Sequence, residues 1–194
     1  MIEPIRSVAV FCGSRFGHDP AHRAAAEALG RGLARAGLTL VYGGGSIGLM
    51  GAVADAALAE GGKVLGVIPD FLSRIERPHA GLTRLEVTDS MHARKARMFA
   101  LADAFVVLSG GLGTLDETLE IVTWRQLGLH AKPILLLDVG GWAAPLVALI
   151  ESVIGMGFAS PEHRNLFTLA PDVPSALALL GVMETETAAA ETRL

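Results

Sequence analysis

The sequence predicts an α/β protein built as a doubly wound parallel sheet in one domain. Two observations predict it. Short apolar runs rich in β-branched residues alternate with helical patterns, as parallel strands alternate with crossover helices. Three of those runs end in polar or glycine-rich turns: Gly13-Ser14, Gly43 to Gly48, and Ser109 to Thr114. The 194 residues suffice for one domain with a real core.

Val8 to Cys12 reads as the first strand, followed by an alanine-rich helix from Pro20 to Ala36 that Gly37 stops. Leu38 to Tyr42 is the second strand. It runs through the glycine turn into a helix reaching Glu60 and closed by Gly61-Gly62. Val64 to Ile68 is the third strand, ended by Pro69, and Phe71 to Leu82 reads as irregular. Leu85 to Val87 is a short fourth strand. Ser90 is a good N-cap for a helix through Leu101. Ala104 to Leu108 has the continuous apolar character of a strand buried on both faces. Leu112, Leu115, Leu119 and Val122 then recur at helical spacing, and that helix ends near Gly128. Pro133 to Asp138 is the sixth strand, Trp142 to Met156 a helix, Phe167 to Ala170 an edge strand and Pro174 to Leu180 a last helix. Residues 1–183 thus make one Rossmann-like domain, and the polar, alanine-rich 184–194 reads as a frayed tail.

Composition narrows the function. Hydrophobic residues make up 51% of the chain, but no apolar run reaches the length of a membrane span. The N-terminus lacks the apolar core of a secretory signal. A formal net charge of −4 with scattered Lys and Arg argues against a nucleic-acid backbone binder. The single Cys12 cannot form an internal disulfide, which fits a reducing, cytoplasmic compartment. No cluster of His, Cys and carboxylates suggests a metal, and no cofactor is expected.

In a doubly wound sheet, ligands bind outside the carboxyl ends of the strands, where strand order reverses. All three turns land at that edge. The stretch Ala104 to Glu120 organises it: strand, then Ser109-Gly110-Gly111-Leu112-Gly113-Thr114, then helix. The N–H groups at such a helix start and the positive end of its dipole form an anion site. Thr114 adds a hydroxyl, and Asp116 and Glu117 are read as first-turn carboxylates. The plainer reading is that these acids only complement the dipole and the glycines only cap a strand. No Lys follows the last glycine, so this is not a Walker loop. Gly43 to Gly48 fits G-x-G-x-x-G, with Asp70 where a ribose-binding acid would be sought. That pattern belongs in the first βα turn, however, and no substrate domain follows.

Ser90 to Met98, SMHARKARM, is the second unusual stretch. On its own it reads as a basic solvated face with methionines in the core, Met91, Lys95 and Met98 sharing one helical face. Its helix leads into the glycine-turn strand, so its start lies at the same edge as Glu117. An Arg beside a Glu at a phosphate-binding turn is a catalytic pairing.

Gly43-Gly44-Gly45 with Gly48-Leu49-Met50-Gly51, then Met91-His92-Ala93-Arg94-Lys95, then Gly110-Gly111-Leu112-Gly113-Thr114-Leu115-Asp116-Glu117 resemble the lonely-guy family. These are cytokinin riboside 5′-monophosphate phosphoribohydrolases, often mislabelled lysine decarboxylases. The resemblance runs in order over nearly the whole chain. The family's usual Pro before the double glycine is Ser109 here, and its usual Glu between the His and the Arg is Ala93. The resemblance implies hydrolysis of a nucleoside 5′-monophosphate, such as AMP or isopentenyladenosine monophosphate, to free base and ribose 5-phosphate. It implies Glu117 as the carboxylate at the anomeric carbon and Arg94 as its partner. Gly110, Gly111, Gly113 and Thr114 would cradle the phosphate, and Ser14, Gly45, Met91 and Lys95 would line the nucleotide site. It also implies a homodimer. A lysine decarboxylase would need a cofactor lysine in a much larger fold. A nucleotide or cofactor carrier without turnover is the other expectation this architecture allows.

Overall fold

A computed structural model describes residues 4–182, so the expected tail lies outside the described residues. Seven strands form one sheet: β1 Ser7–Phe11, β2 Thr39–Tyr42, β3 Val64–Pro69, β4 Arg84–Thr88, β5 Ala104–Val107, β6 Ile134–Leu137 and β7 Thr168–Ala170. Their order is β4-β3-β2-β1-β5-β6-β7, and every pairing is parallel. β1 is central, with Val8 opposite Leu40 on one side and Ala104 on the other. The chain steps outward from β1 to β4 and then returns to place β5 against β1's free edge. Strand order therefore reverses between β1 and β5.

Alternation along each strand divides the core. Val8, Val10, Leu40 and Val106 face one layer, where they meet Leu29 and Leu33 of α1 (Pro20–Arg35) and Leu49 and Val53 of α2 (Gly48–Ala59). Ala9, Phe11, Phe105 and Val107 face the other layer. There they meet Met98 of α4 (Met91–Leu101), Ile121 and Val122 of α5 (Leu112–Gln126) and Leu146 of α6 (Ala144–Gly155). Phe11 and Phe99 both stack on Phe105, at 5.9 and 5.7 Å. Burial on both faces is why these strands read as unbroken apolar runs. α7 (Val173–Leu179) closes the first layer through Ala176 and Leu177.

Most elements lie within two residues of the expected bounds. Two differ more. The segment after Pro69, expected to be irregular, opens with one short turn of helix, α3 (Asp70–Ser73). Trp142 precedes α6 rather than starting it. A 3-10 turn, Val139–Gly141, comes first, and Pro145 sits in the first turn of α6 itself, where a missing N–H costs nothing.

Candidate active site

The reversal point brings the first and third turns into direct contact. Leu108 N donates to Phe11 O (2.9 Å) and Gly13 N to Ser109 O (3.0 Å). Leu49 N, at the start of α2, donates to Gly13 O (3.0 Å) and draws in the second turn. Gly110 is held closely. A side chain there would collide with the Thr114 hydroxyl and lie 2.9 Å from Gly13 N. Trp142 Nε1 fixes Gly110 from outside by donating to its carbonyl (3.0 Å). Gly111 is the N-cap of α5 and brings no side-chain cap, so the first-turn N–H groups are left for a ligand. A cleft of about 540 Å³, within the range of small-molecule sites, opens here. Ser14, Gly110, Gly111, Leu112, His22 and Trp142 are among the residues that line it.

The second turn of α5 carries Glu117, buried beside Arg94 with each residue 9% exposed. Ser90 caps α4 as expected, its Oγ accepting from Ala93 N (3.1 Å), and this sets Arg94 one turn into the helix. Arg94 Nε donates to Val67 O (3.1 Å) and Nη2 to Gly43 O (3.4 Å). A side chain at Gly43 would collide with the guanidinium. The remaining nitrogen, Nη1, lies 3.5 Å from Glu117 Oε1 and 3.9 Å from Met91 Sδ. A carbonyl within β3 and one just past β2 thus orient the arginine toward one carboxylate. At 3.5 Å the pair is looser than a charge-assisted hydrogen bond, which leaves Glu117 free to act on something else.

Burial pushes the Glu117 carboxyl above the ordinary carboxylate value, and Arg94 only partly offsets this. Burial also raises the Cys12 thiol, with Glu117 adding to the rise and Arg94 opposing it. Cys12 is therefore a buried, neutral thiol. An ionised Glu117 acting as base gives a clear pH dependence. kcat/KM should fall as pH drops through its raised pKa, with the acid limb above the 4.5 of a free glutamate. A pH–rate profile with AMP measures this, and an acid limb at or below 4.5 would exclude Glu117 as the group seen.

Thr114 is buried one turn before Glu117, on the same face of α5, and its carbonyl accepts from the Thr118 hydroxyl (2.6 Å). Gly113 is exposed in the first turn. Gly45 is buried in the second turn, its carbonyl accepting from Tyr42 OH (3.2 Å), and it does not line the cleft. Met91, Arg94, Lys95, Gly113, Thr114 and Glu117 are not among its lining residues either. Lys95 is engaged elsewhere. Its Nζ lies 3.1 Å from both Asp116 Oδ2 and Glu120 Oε2 and clamps α4 to α5. Burial alone would lower its pKa, but the two carboxylates raise it overall. Asp70, the acid of the dinucleotide reading, is exposed and paired with Arg74.

The expected first-turn placement of Asp116 and Glu117 needs correction. α5 begins at Leu112, so both lie in its second turn and the first turn holds no acid. Dipole complementation, which fades beyond the first turn, does not account for them. Residues that the sequence reading did not select also line the cleft: Phe16, His22, Ser109 and Trp142. Ser109 carried a signal, as a departure from the family's proline. His22 carried none, since its contact with Ser109 spans 87 positions.

Comparison with known proteins shows the family. A family model described as "Possible lysine decarboxylase" matches residues 50–180. The cytokinin riboside 5′-monophosphate phosphoribohydrolase of Rhodococcoides fascians is 46% identical over 176 residues, 90% of this chain and 89% of the relative. The protein of that name from Arabidopsis thaliana is 42% identical over 181 residues, 93% of this chain and 83% of the relative. The chain belongs to this phosphoribohydrolase family. The fold extends further than the family. A molybdenum cofactor binding protein from Rippkaea orientalis superposes with a TM-score of 0.70 over 93% of this chain and 97% of its own. It is only 22% identical, so the likeness is one of fold. Among the described residues, no group of three or more His, Cys, Asp or Glu is placed to hold a metal ion, and no helix is long and apolar enough to cross a membrane.

Proposed function

We propose that the protein hydrolyses the N-glycosidic bond of nucleoside 5′-monophosphates such as AMP or isopentenyladenosine monophosphate, releasing the base and ribose 5-phosphate. One observation carries this reading: a buried Glu117, oriented by Arg94, stands one turn beyond an uncapped glycine helix start. Cleavage of the bond builds positive charge on the sugar. An adjacent carboxylate stabilises that charge and takes a proton from the attacking water. The oxygen of that water goes to the anomeric carbon, and the bonding electrons leave with the base, which is then protonated. Gly111, Gly113 and Thr114 hold the phosphate away from the bond that breaks. Incubation with AMP and with isopentenyladenosine monophosphate, followed by detection of free base and ribose 5-phosphate, tests the reading. Tight binding of both without release would make the protein a carrier. The Arg94–Glu117 pair argues against that, because a carrier needs only the glycine turns.

Arg94→Ala should lower kcat/KM by roughly 10–100-fold, as expected for loss of a charged hydrogen-bonding partner. It should also lower Tm, because Glu117 is left buried and unpaired. Lys should rescue poorly, since it lacks the planar fork that spans Val67 O, Gly43 O and Glu117. Full activity of Arg94→Ala in steady-state assays would make it a structural charge.

The protein is further read as a cytoplasmic homodimer. A lone, buried Cys12 suits a reducing compartment. Leu112 and Leu119 on α5 and Val87 on β4 are exposed apolar side chains that a second copy would cover. Light scattering should give twice the chain mass, and a monomer at micromolar concentration would remove this part of the reading.

A further inference from the structure

The Ser109 side chain belongs to none of the roles above, yet it forms part of the cleft wall. It follows β5 directly and precedes Gly110, so it adjoins the donors at the start of α5. Ser109 is 5% exposed, and its Oγ lies 2.9 Å from His22 Nδ1. His22 sits in the first turn of α1, which Asp19 anchors by accepting from Ala21 N (2.8 Å). Two glycines lie beside the rest of the imidazole. A side chain at Gly17 would come within 3.0 Å of its Cδ2, and one at Gly140 within 3.6 Å of its Cε1. One ring nitrogen is thus committed to Ser109, and the glycines leave the ring room beside it.

We propose that Ser109 is an additional phosphoryl-oxygen donor of the glycine turn, and that His22 is the positioning residue that aims it. With its proton on Nδ1, His22 donates to Ser109 Oγ. The hydroxyl hydrogen is then directed away from the ring, toward the cleft shared with Gly110 and Gly111. A proline at this position has neither a hydroxyl nor an N–H. This chain thus has a hydrogen-bond donor where its relatives' usual residue offers rigidity. His22 would serve substrate affinity without touching the substrate. The inference rests on the phosphate reading of the turn but not on turnover.

The test is a double-mutant cycle read by AMP binding in titration calorimetry, with AMP hydrolysis followed in parallel. Ser109→Ala and His22→Ala should each weaken AMP binding by about tenfold, the low end for a hydrogen bond to a charged group. The double variant should bind no more weakly than Ser109→Ala, because both side chains act through one donor. His22→Asn, whose amide can still donate to Ser109, should keep most of the affinity. Adenosine binding should not change in any of them. Ser109→Pro supplies a second hydroxyl-free variant if Ser109→Ala melts early. Wild-type AMP affinity in either hydroxyl-free variant overturns the proposal, as do additive losses in the cycle. Wild-type protein that binds AMP without cleaving it, and loses affinity in Ser109→Ala, refutes the hydrolase reading and supports this one. Normal hydrolysis with unchanged Ser109→Ala affinity does the reverse.

Discussion

Glu117→Gln should reduce kcat for AMP by roughly 10²–10⁴-fold, the scale of a lost general base, while AMP affinity stays within a few-fold. The amide has the shape of the carboxylate, and its oxygen keeps the place 3.5 Å from Arg94 Nη1. It cannot take a proton from water or balance charge on the sugar. The site is buried, so no bulk water can substitute. Asp116→Asn is the matched control. Asp116 is the preceding residue, but it is exposed and paired with Lys95. Its loss should leave kcat near the wild-type value. Single-turnover measurements with both variants decide the matter. A Glu117→Gln protein that keeps most of its kcat would move the chemistry to another group.

The sheet was legible because its strands are buried on both faces. Val8 to Cys12 and Ala104 to Leu108 could be read as parallel strands without knowing their neighbours. The glycine turns were legible because close backbone approach leaves a compositional mark. A side chain at Gly110 would collide with Thr114, and one at Gly43 with the Arg94 guanidinium. Arg94 and Glu117 were legible only in part. Their types and positions stood out, and the family resemblance supplied their roles. Their contacts depend on Val67 and Gly43, which lie 27 and 51 positions from Arg94.

α5 shows where periodicity misleads. The Leu112, Leu115, Leu119, Val122 spacing correctly signals a helix, yet Leu112 is 86% exposed and Leu119 also faces outward. The inward face carries Thr114, Glu117, Thr118, Ile121 and Val122. Apolar spacing locates a core-facing side only where the core side is apolar. Here the start of that side is polar because it serves the site. A helix whose polar residues turn inward at one end conflicts with its own pattern, and such conflicts mark functional positions. The same conflict explains Lys95. Grouped with the methionines by spacing, it is instead claimed by two carboxylates of α5, which spacing along α4 cannot reveal.

Removing the 5′-phosphate from the substrate should cost at least roughly 10³-fold in kcat/KM, with AMP cleaved and adenosine nearly untouched. The uncapped N–H groups of α5 after Gly111 offer donors to an anion and little to a neutral group of similar size. A hydrogen bond to a charged partner contributes about 1.5–3 kcal/mol, and several act together at this turn. The phosphate is distant from the anomeric carbon, so the loss should appear in kcat as well as in KM. Its binding energy holds the sugar against Glu117, which lies one turn further along the same helix face as Thr114. A substrate without that anchor reaches the carboxylate in many orientations, few of them reactive. Inorganic phosphate should not rescue adenosine cleavage fully, because an untethered anion fills the cradle without orienting the sugar. Comparable kcat/KM for adenosine and AMP in parallel assays would refute the anion reading of the turn and leave a plain nucleoside hydrolase.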